Sequence, residues 1–180
     1  DIPKPEDSYS KTKYLAEKYL LDNSNEKLFP IYIVRPPLII GNKIKGNIEF
    51  FLKIIKLKIP LPIKNIKNKR SFLSINNLNT LLSKLIFEFN GKTDVFLISD
   101  GYSISTSDLL NKISYFSKIQ LSSFELNKKL LSIIFKLFFL KKYYKKLFYS
   151  QEIDIEYTKK TLDWKPNDLL DDTLESMFNE

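Results

Sequence analysis

Two short, uninterrupted apolar runs limit what this chain can fold into: Pro30-Ile31-Tyr32-Ile33-Val34 and Val95-Phe96-Leu97-Ile98-Ser99. The first is closed by Arg35-Pro36-Pro37 and the second by Asp100-Gly101. Runs of this kind suit strands of a parallel sheet that are covered on both faces. The intervening sequence reads mainly as helix. From Ser8, the residues Tyr9, Lys13, Ala16, Glu17 and Leu20 recur at three- and four-residue spacing, with Ser8 as the N-cap and Asn23-Ser24-Asn25 as the stop. Leu38-Ile39-Ile40-Gly41 is expected to continue the first strand into a loop that contains Gly46. Residues 48–58 form a lysine-edged amphipathic pattern, stopped by Pro60-Leu61-Pro62. A basic turn and the strand-like Ser71-Phe72-Leu73-Ser74 come next. Asn76 or Asn77 is expected to cap a helix reaching position 89, and Ser105 or Ser107 to cap another ending near position 117. A terminal helix starts near Leu169. Strands alternating with helices predict an α/β fold, with helical pieces added outside a parallel sheet.

Composition removes whole classes of chemistry. With no Cys and no His, disulfide scaffolds, thiol nucleophiles, Ser-His-Asp triads and the common zinc sites are excluded, and no metal site is expected. Aromatic residues make up 14% of the chain, which excludes intrinsic disorder. The four glycines, Gly41, Gly46, Gly91 and Gly101, build neither GxGxxG nor GxxxxGK, so a phosphate-binding glycine loop is expected elsewhere. The 29 Lys+Arg exceed the 21 Asp+Glu, for a net charge of +8. The lysines are spread along the chain beside Ile and Asn, and the bias reads as compositional drift with no nucleic-acid partner. No signal segment and no charge-free apolar run of about 18 residues is present, which predicts a cytoplasmic protein. The opening at Asp1 without Met reads as the later part of a longer protein.

Tyr9 and Lys13, at i and i+4, share a helix face. An ammonium near a phenol favours its phenolate, and such a tyrosine can act as general base toward a sugar or alcohol hydroxyl. A solvated Tyr/Lys face on an ordinary helix is the competing reading. The stretch 126–148, with Lys128-Lys129, Lys141-Lys142, Lys145-Lys146 and many Leu and Phe, reads as a helix with snorkelling lysines or as a membrane-surface or polyanion contact.

The run from Asp1-Ile2-Pro3-Lys4-Pro5 through Tyr9, Lys13 and Glu17 resembles the D-x-P-x-P-x-x-x-Y-x-x-[ST]-K-x-x-x-E stretch of extended short-chain dehydrogenases/reductases, the NAD-dependent epimerase/dehydratase family. Val34-Arg35-Pro36-Pro37 through Gly41 is similar to that family's RPxxxxG turn. Lys69-Arg70-Ser71-Phe72 through Leu78, Val95 through Gly101, and Leu162-Asp163-Trp164-Lys165-Pro166 follow in family order, with Asp163 replacing a Gly. The likeness is strongest to the UDP-glucose 4-epimerase-like group associated with surface-polysaccharide synthesis.

The resemblance implies the tail of a Rossmann-type parallel sheet at 1–41. It implies a smaller, mostly helical nucleotide-sugar region at 42–180, with 75–100 returning to the sheet. It implies NAD as cofactor, contacted by Tyr9, Lys13, Pro36 and Pro37, with Tyr9 as base and Lys13 lowering its pKa. Asn47 and Arg70 would hold the diphosphate of a nucleotide sugar, a UDP-sugar in the first instance. A homodimer is compatible with the likeness. By itself the chain is expected to be inactive, because the family's GxxGxxG half is missing. The alternatives are a keto-sugar reductase or 4,6-dehydratase of the same family, and a non-catalytic basic membrane-surface or polyanion-binding module built on 126–148.

Overall fold

A computed structural model of the protein describes residues 3–5, 7–25, 29–41, 46–64, 66–127 and 148–179. Most of the basic stretch 126–148 lies outside the described residues, and its expected helix with it. In chain order the elements are α1 (Ser8–Asp22), β1 (Tyr32–Arg35), β2 (Leu38–Ile40), α2 (Gly46–Lys56), β3 (Arg70–Ser74), α3 (Ile75–Phe87), β4 (Asp94–Leu97), β5 (Ser103–Ile104), α4 (Thr106–Ser117), α5 (Glu156–Leu162) and α6 (Leu170–Asn179). The class is α/β, with the parallel pairing that the two apolar runs predict.

Those runs pair with each other. β1 lies parallel to β4, with Tyr32 opposite Asp94 and Arg35 opposite Leu97. β2 does not continue this ladder, contrary to expectation; it pairs in parallel with β3, Leu38 opposite Phe72, and β3 pairs antiparallel with β5. The two consecutive prolines explain the break. Neither carries an N–H, and each forces the residue before it into extended backbone. The chain therefore runs on while the β1 ladder stops at Arg35, and a new ladder opens at Leu38. β1 is also only half-buried along its length, not enclosed on both faces, since α1 buries none of its residues against it.

β3 is the wall between two cores. Phe72 packs with Ile40, Leu52, Ile55, Leu110, Ile113 and Leu174. Its neighbour Leu73 packs with Leu81, Phe96, Ile98, Leu162 and Trp164. Alternation along one strand sends successive side chains to opposite faces, so β3 serves α2, α4 and α6 on one side and α3, β4 and α5 on the other. Trp164 is buried, and its indole N–H donates to Thr80 Oγ1 at 3.1 Å.

The caps differ from expectation by a few residues. Asp7, not Ser8, caps α1, because its carboxylate reaches the Ser10 N–H while Ser10 Oγ accepts from the Asp7 N–H. Ser74 caps α3. That leaves Asn77 for another task. Its Nδ2 donates to Asp100 Oδ1 (2.7 Å) and to the Asp168 carbonyl (2.9 Å), and its Oδ1 accepts the N–H groups of Asn167 and Asp168. Asp100 accepts the Ser74 N–H, and Asp168 accepts the Ser74 hydroxyl. This buried clasp ties the segment before α6 to the β3–α3 junction. Of the two Ser residues expected to cap the later helix, Ser105 caps α4.

Two expected outcomes follow from these details. Asp163 ends α5 in the left-handed region (φ 46°, ψ 47°), where a β-carbon is strained and glycine is not. Asp163→Gly should therefore raise stability by about 0.5–1 kcal/mol, measured by urea unfolding. Burial pushes the Asp100 carboxyl above the ordinary aspartate value, against the opposing hydrogen bonds from Asn77 and Ser74. The folded state then binds more protons than the unfolded state between the ordinary and the raised value, so this group's contribution to stability grows as pH falls through that window. Asp100→Asn should remove that component of the slope of unfolding free energy against pH; an unaltered slope would contradict it.

Candidate active site

Tyr9 occupies the first turn of α1 and is 70% exposed. The Lys13 ammonium stands 5.8 Å from the centre of the Tyr9 ring. The capping box at Asp7 and Ser10 fixes the turn on which Tyr9 sits, and Glu17 falls one further step along the same stripe. From there the Arg35 guanidinium reaches across: its Nε–H donates to Glu17 Oε2 at 3.1 Å, and its Nη2 donates to Oε1. A fork on a carboxylate in this manner is the geometry that arginine offers and lysine does not. Arg35 is the last residue of β1 and is followed at once by Pro36, which is exposed, and Pro37, which is half-buried.

Arg70 opens β3. The register sets Leu38 opposite Phe72, so Arg70, two residues before Phe72, falls on the Pro36–Pro37 side of that pairing. Its guanidinium is half-buried and donates to Gln151 Oε1 at 3.4 Å. Burial pushes it below the ordinary arginine value. The segment that carries Gln151 is itself locked onto β3, because the Ser71 N–H donates to the Gln151 carbonyl and the Gln151 N–H donates to the Lys69 carbonyl. Asn47 is the second residue of α2.

The structure thus gathers Tyr9 and Lys13 on one helix face, ties that helix to the strand end preceding Pro36 and Pro37, and puts Arg70 on the strand that pairs with the next segment. Gln151 was beyond the reach of sequence reasoning, since it lies 81 residues from Arg70 and carries no local pattern. The Glu17–Arg35 pair had a signal: both residues stand inside the two motifs, and Arg35 is one of only two arginines in a lysine-rich chain. An open cavity of about 360 Å³ lies elsewhere, lined by Thr80, Lys84, Asp163, Trp164, Lys165 and Asn167, none of which is a candidate site residue. Among the described residues no group of acidic side chains could hold a metal ion, and no helix is long and apolar enough to cross a membrane.

Comparison with known proteins bears on the fold and on the sequence likeness. Residues 1–69 match the family described as Male sterility protein (NAD_binding_4). A UDP-glucose 4-epimerase of Vibrio cholerae is 32% identical over 165 residues, which are 90% of this chain and 50% of that protein. The chain therefore spans half the length of the curated relative it matches. The structure of UDP-glucose 4-epimerase from Thermotoga maritima, solved with UDP-glucose, superposes with a TM-score of 0.71 at 16% identity, over 99% of this chain and 54% of that one. A dTDP-glucose 4,6-dehydratase from Bacillus anthracis, solved with NAD, superposes with a TM-score of 0.69 at 14% identity, over 99% and 53%. The shared architecture is a Rossmann-type α/β fold. Within it, the chain is similar in sequence to a UDP-glucose 4-epimerase and in fold to an epimerase and a dehydratase, over about half the length of each.

Proposed function

We propose that this chain is the carboxyl-side half of a cytoplasmic NAD-dependent nucleotide-sugar epimerase or dehydratase in which Tyr9 is the general base. The observation that carries the reading is the Tyr9–Lys13 pair on an exposed helix turn, anchored to the carboxyl end of a parallel strand. Ligands of open α/β sheets bind at the carboxyl ends of the strands. Residues 1–41 would belong to the cofactor-binding region and 42–180 mainly to the sugar-binding region, with 75–100 returning to the first; the pairing of β4 with β1 supports that return.

The residues present fit the nicotinamide end of NAD. A phenol and an ammonium sit on a solvent-facing turn, and two prolines without N–H groups offer a rigid apolar surface near the same strand end. The four glycines supply no turn for its pyrophosphate, which the other half of the protein would hold. When bound, NAD supplies the acceptor and donor of hydride. Tyr9, as phenolate, takes the proton from a sugar hydroxyl as that carbon is oxidised, and the Lys13 ammonium stabilises the phenolate. The resulting keto sugar is reduced again or eliminates water. Throughout, Arg70 and Asn47 hold the diphosphate. The half-buried guanidinium of Arg70, partly stripped of water, suits an anion that it can grip with two donors.

In the full-length protein, Tyr9→Phe is expected to lower turnover by about 10²–10⁴, with folding and NAD affinity retained. Lys13→Met is expected to lower turnover as well, whereas Lys11→Met leaves it near the wild-type value. Near-normal turnover in Tyr9→Phe would reduce the pair to a solvated helix face. Arg70→Lys keeps the charge and loses the fork. It should weaken nucleotide-sugar binding by about 1–3 kcal/mol and leave NAD binding unchanged, as read by calorimetry; equal losses for both ligands would make Arg70 a folding residue.

A further inference from the structure

The exposed position of Tyr9 raises the question of what holds α1 in place. None of the described side chains of α1 is buried, and Tyr9, Leu15, Tyr19 and Leu20 are exposed. Among the described residues, apolar packing of this helix is limited to the half-buried Tyr14 and Leu21. A directional contact joins it. The Arg35 fork holds both oxygens of Glu17, and the two side chains are only 32% and 16% exposed. Both arginines of the chain occupy such sites, Arg70 at Gln151 and Arg35 at Glu17, while every other cation of the 29 is lysine. That choice matches a need for geometry over bulk charge.

Glu17 continues the stripe of Tyr9 and Lys13, each four residues from the next, so a contact that fixes Glu17 fixes the direction of the other two. Arg35 is the last residue of β1 and the direct neighbour of Pro36, so the contact refers α1 to the strand end where the site is built. Tyr9 lies on the far side of Glu17 from the loop joining α1 to β1, roughly 12 Å along the helix axis. A small rotation at Glu17 is carried to the phenol over that distance.

We propose that the Arg35–Glu17 pair is a positioning element of the active site, which sets the rotation and advance of α1 so that Tyr9 meets the reacting hydroxyl. The proposal rests on the reading of Tyr9 as general base, and its test separates the two. Displacement of a reacting group by about 1 Å can cost on the order of 100-fold in rate. In the full-length protein, Arg35→Lys and Glu17→Gln are expected to lower kcat by about 10- to 100-fold. The KM for the nucleotide sugar and the NAD affinity by calorimetry should stay within about twofold. The exchange that combines Glu17→Arg with Arg35→Glu should restore part of the loss. Independently of activity, amide hydrogen exchange should quicken across residues 8–22 in both single variants and remain unchanged across residues 70–87.

With Tyr9→Phe as the control, three results would overturn the proposal. If kcat stays within about twofold of wild type in the two single variants while Tyr9→Phe is inactive, the pair does not position the base, and the base stands. A parallel fall of kcat, sugar binding, NAD affinity and melting temperature would make the pair a general fold contact. If Tyr9→Phe is itself active, the reading of the base fails first, and the positioning role has nothing to act on.

Discussion

The side-chain amide of Asn77 is the contact on which the arrangement of the described parts depends. It sits at the junction of β3 and α3 and uses all its polar capacity on groups far away in sequence: the carboxylate after β4 and the backbone of the segment leading into α6. β3 divides two apolar clusters, and each cluster draws in elements from the C-terminal part of the chain, Trp164 and Leu162 on one side, Leu170 and Leu174 on the other. The clasp lies between these two contributions. A buried amide deprived of such partners costs more than the net gain of each bond, so the clasp discriminates between this seating of the C-terminal segment and any slipped one. Apolar packing alone would not, because Leu and Ile tolerate small shifts.

The electrostatics of the chain are governed more by placement than by the total. A net charge of +8 arises mostly from lysines on the surface, such as Lys53 and Lys159, which pair with a neighbour on their own helix. Pairs of that kind contribute little to stability. The two arginines differ. Each is drawn partly out of water and each meets a side chain from another element, so that each joins parts of the chain that sequence keeps apart.

Much of this organisation was legible in the residues themselves. The apolar runs at 31–34 and 95–98 announced a parallel pair because an uninterrupted β-branched or aromatic run has few other homes. The helix following Ser105 was legible because capping is a local matter of one side chain and the N–H three residues on. What stayed hidden was nonlocal. The sequence reading treated Leu38-Ile39-Ile40 as an extension of β1, since nothing local says which neighbour a strand will choose once its ladder is interrupted. Asn77 looked like a cap because Asn favours helix starts, and its long-range bonds depend on residues 90 positions later. Tyr9 and Lys13 were visible as residue types at a spacing and Arg70 through the family resemblance; Glu17 and Arg35 stood inside motifs, but their contact, like that of Gln151, emerged only once the chain was folded.

The diproline between β1 and β2 has a wider consequence. Arg35 and Pro36 both precede proline and are confined to extended backbone, and both prolines have a locked φ. The link from β1 to β2 is thus a stiff spacer and a poor hinge. The interval between the β1–β4 ladder and the β2–β3–β5 ladder is set by that spacer. The spacing of the two ladders is then written into two backbone torsions, and the side chains around the gap can vary without altering it.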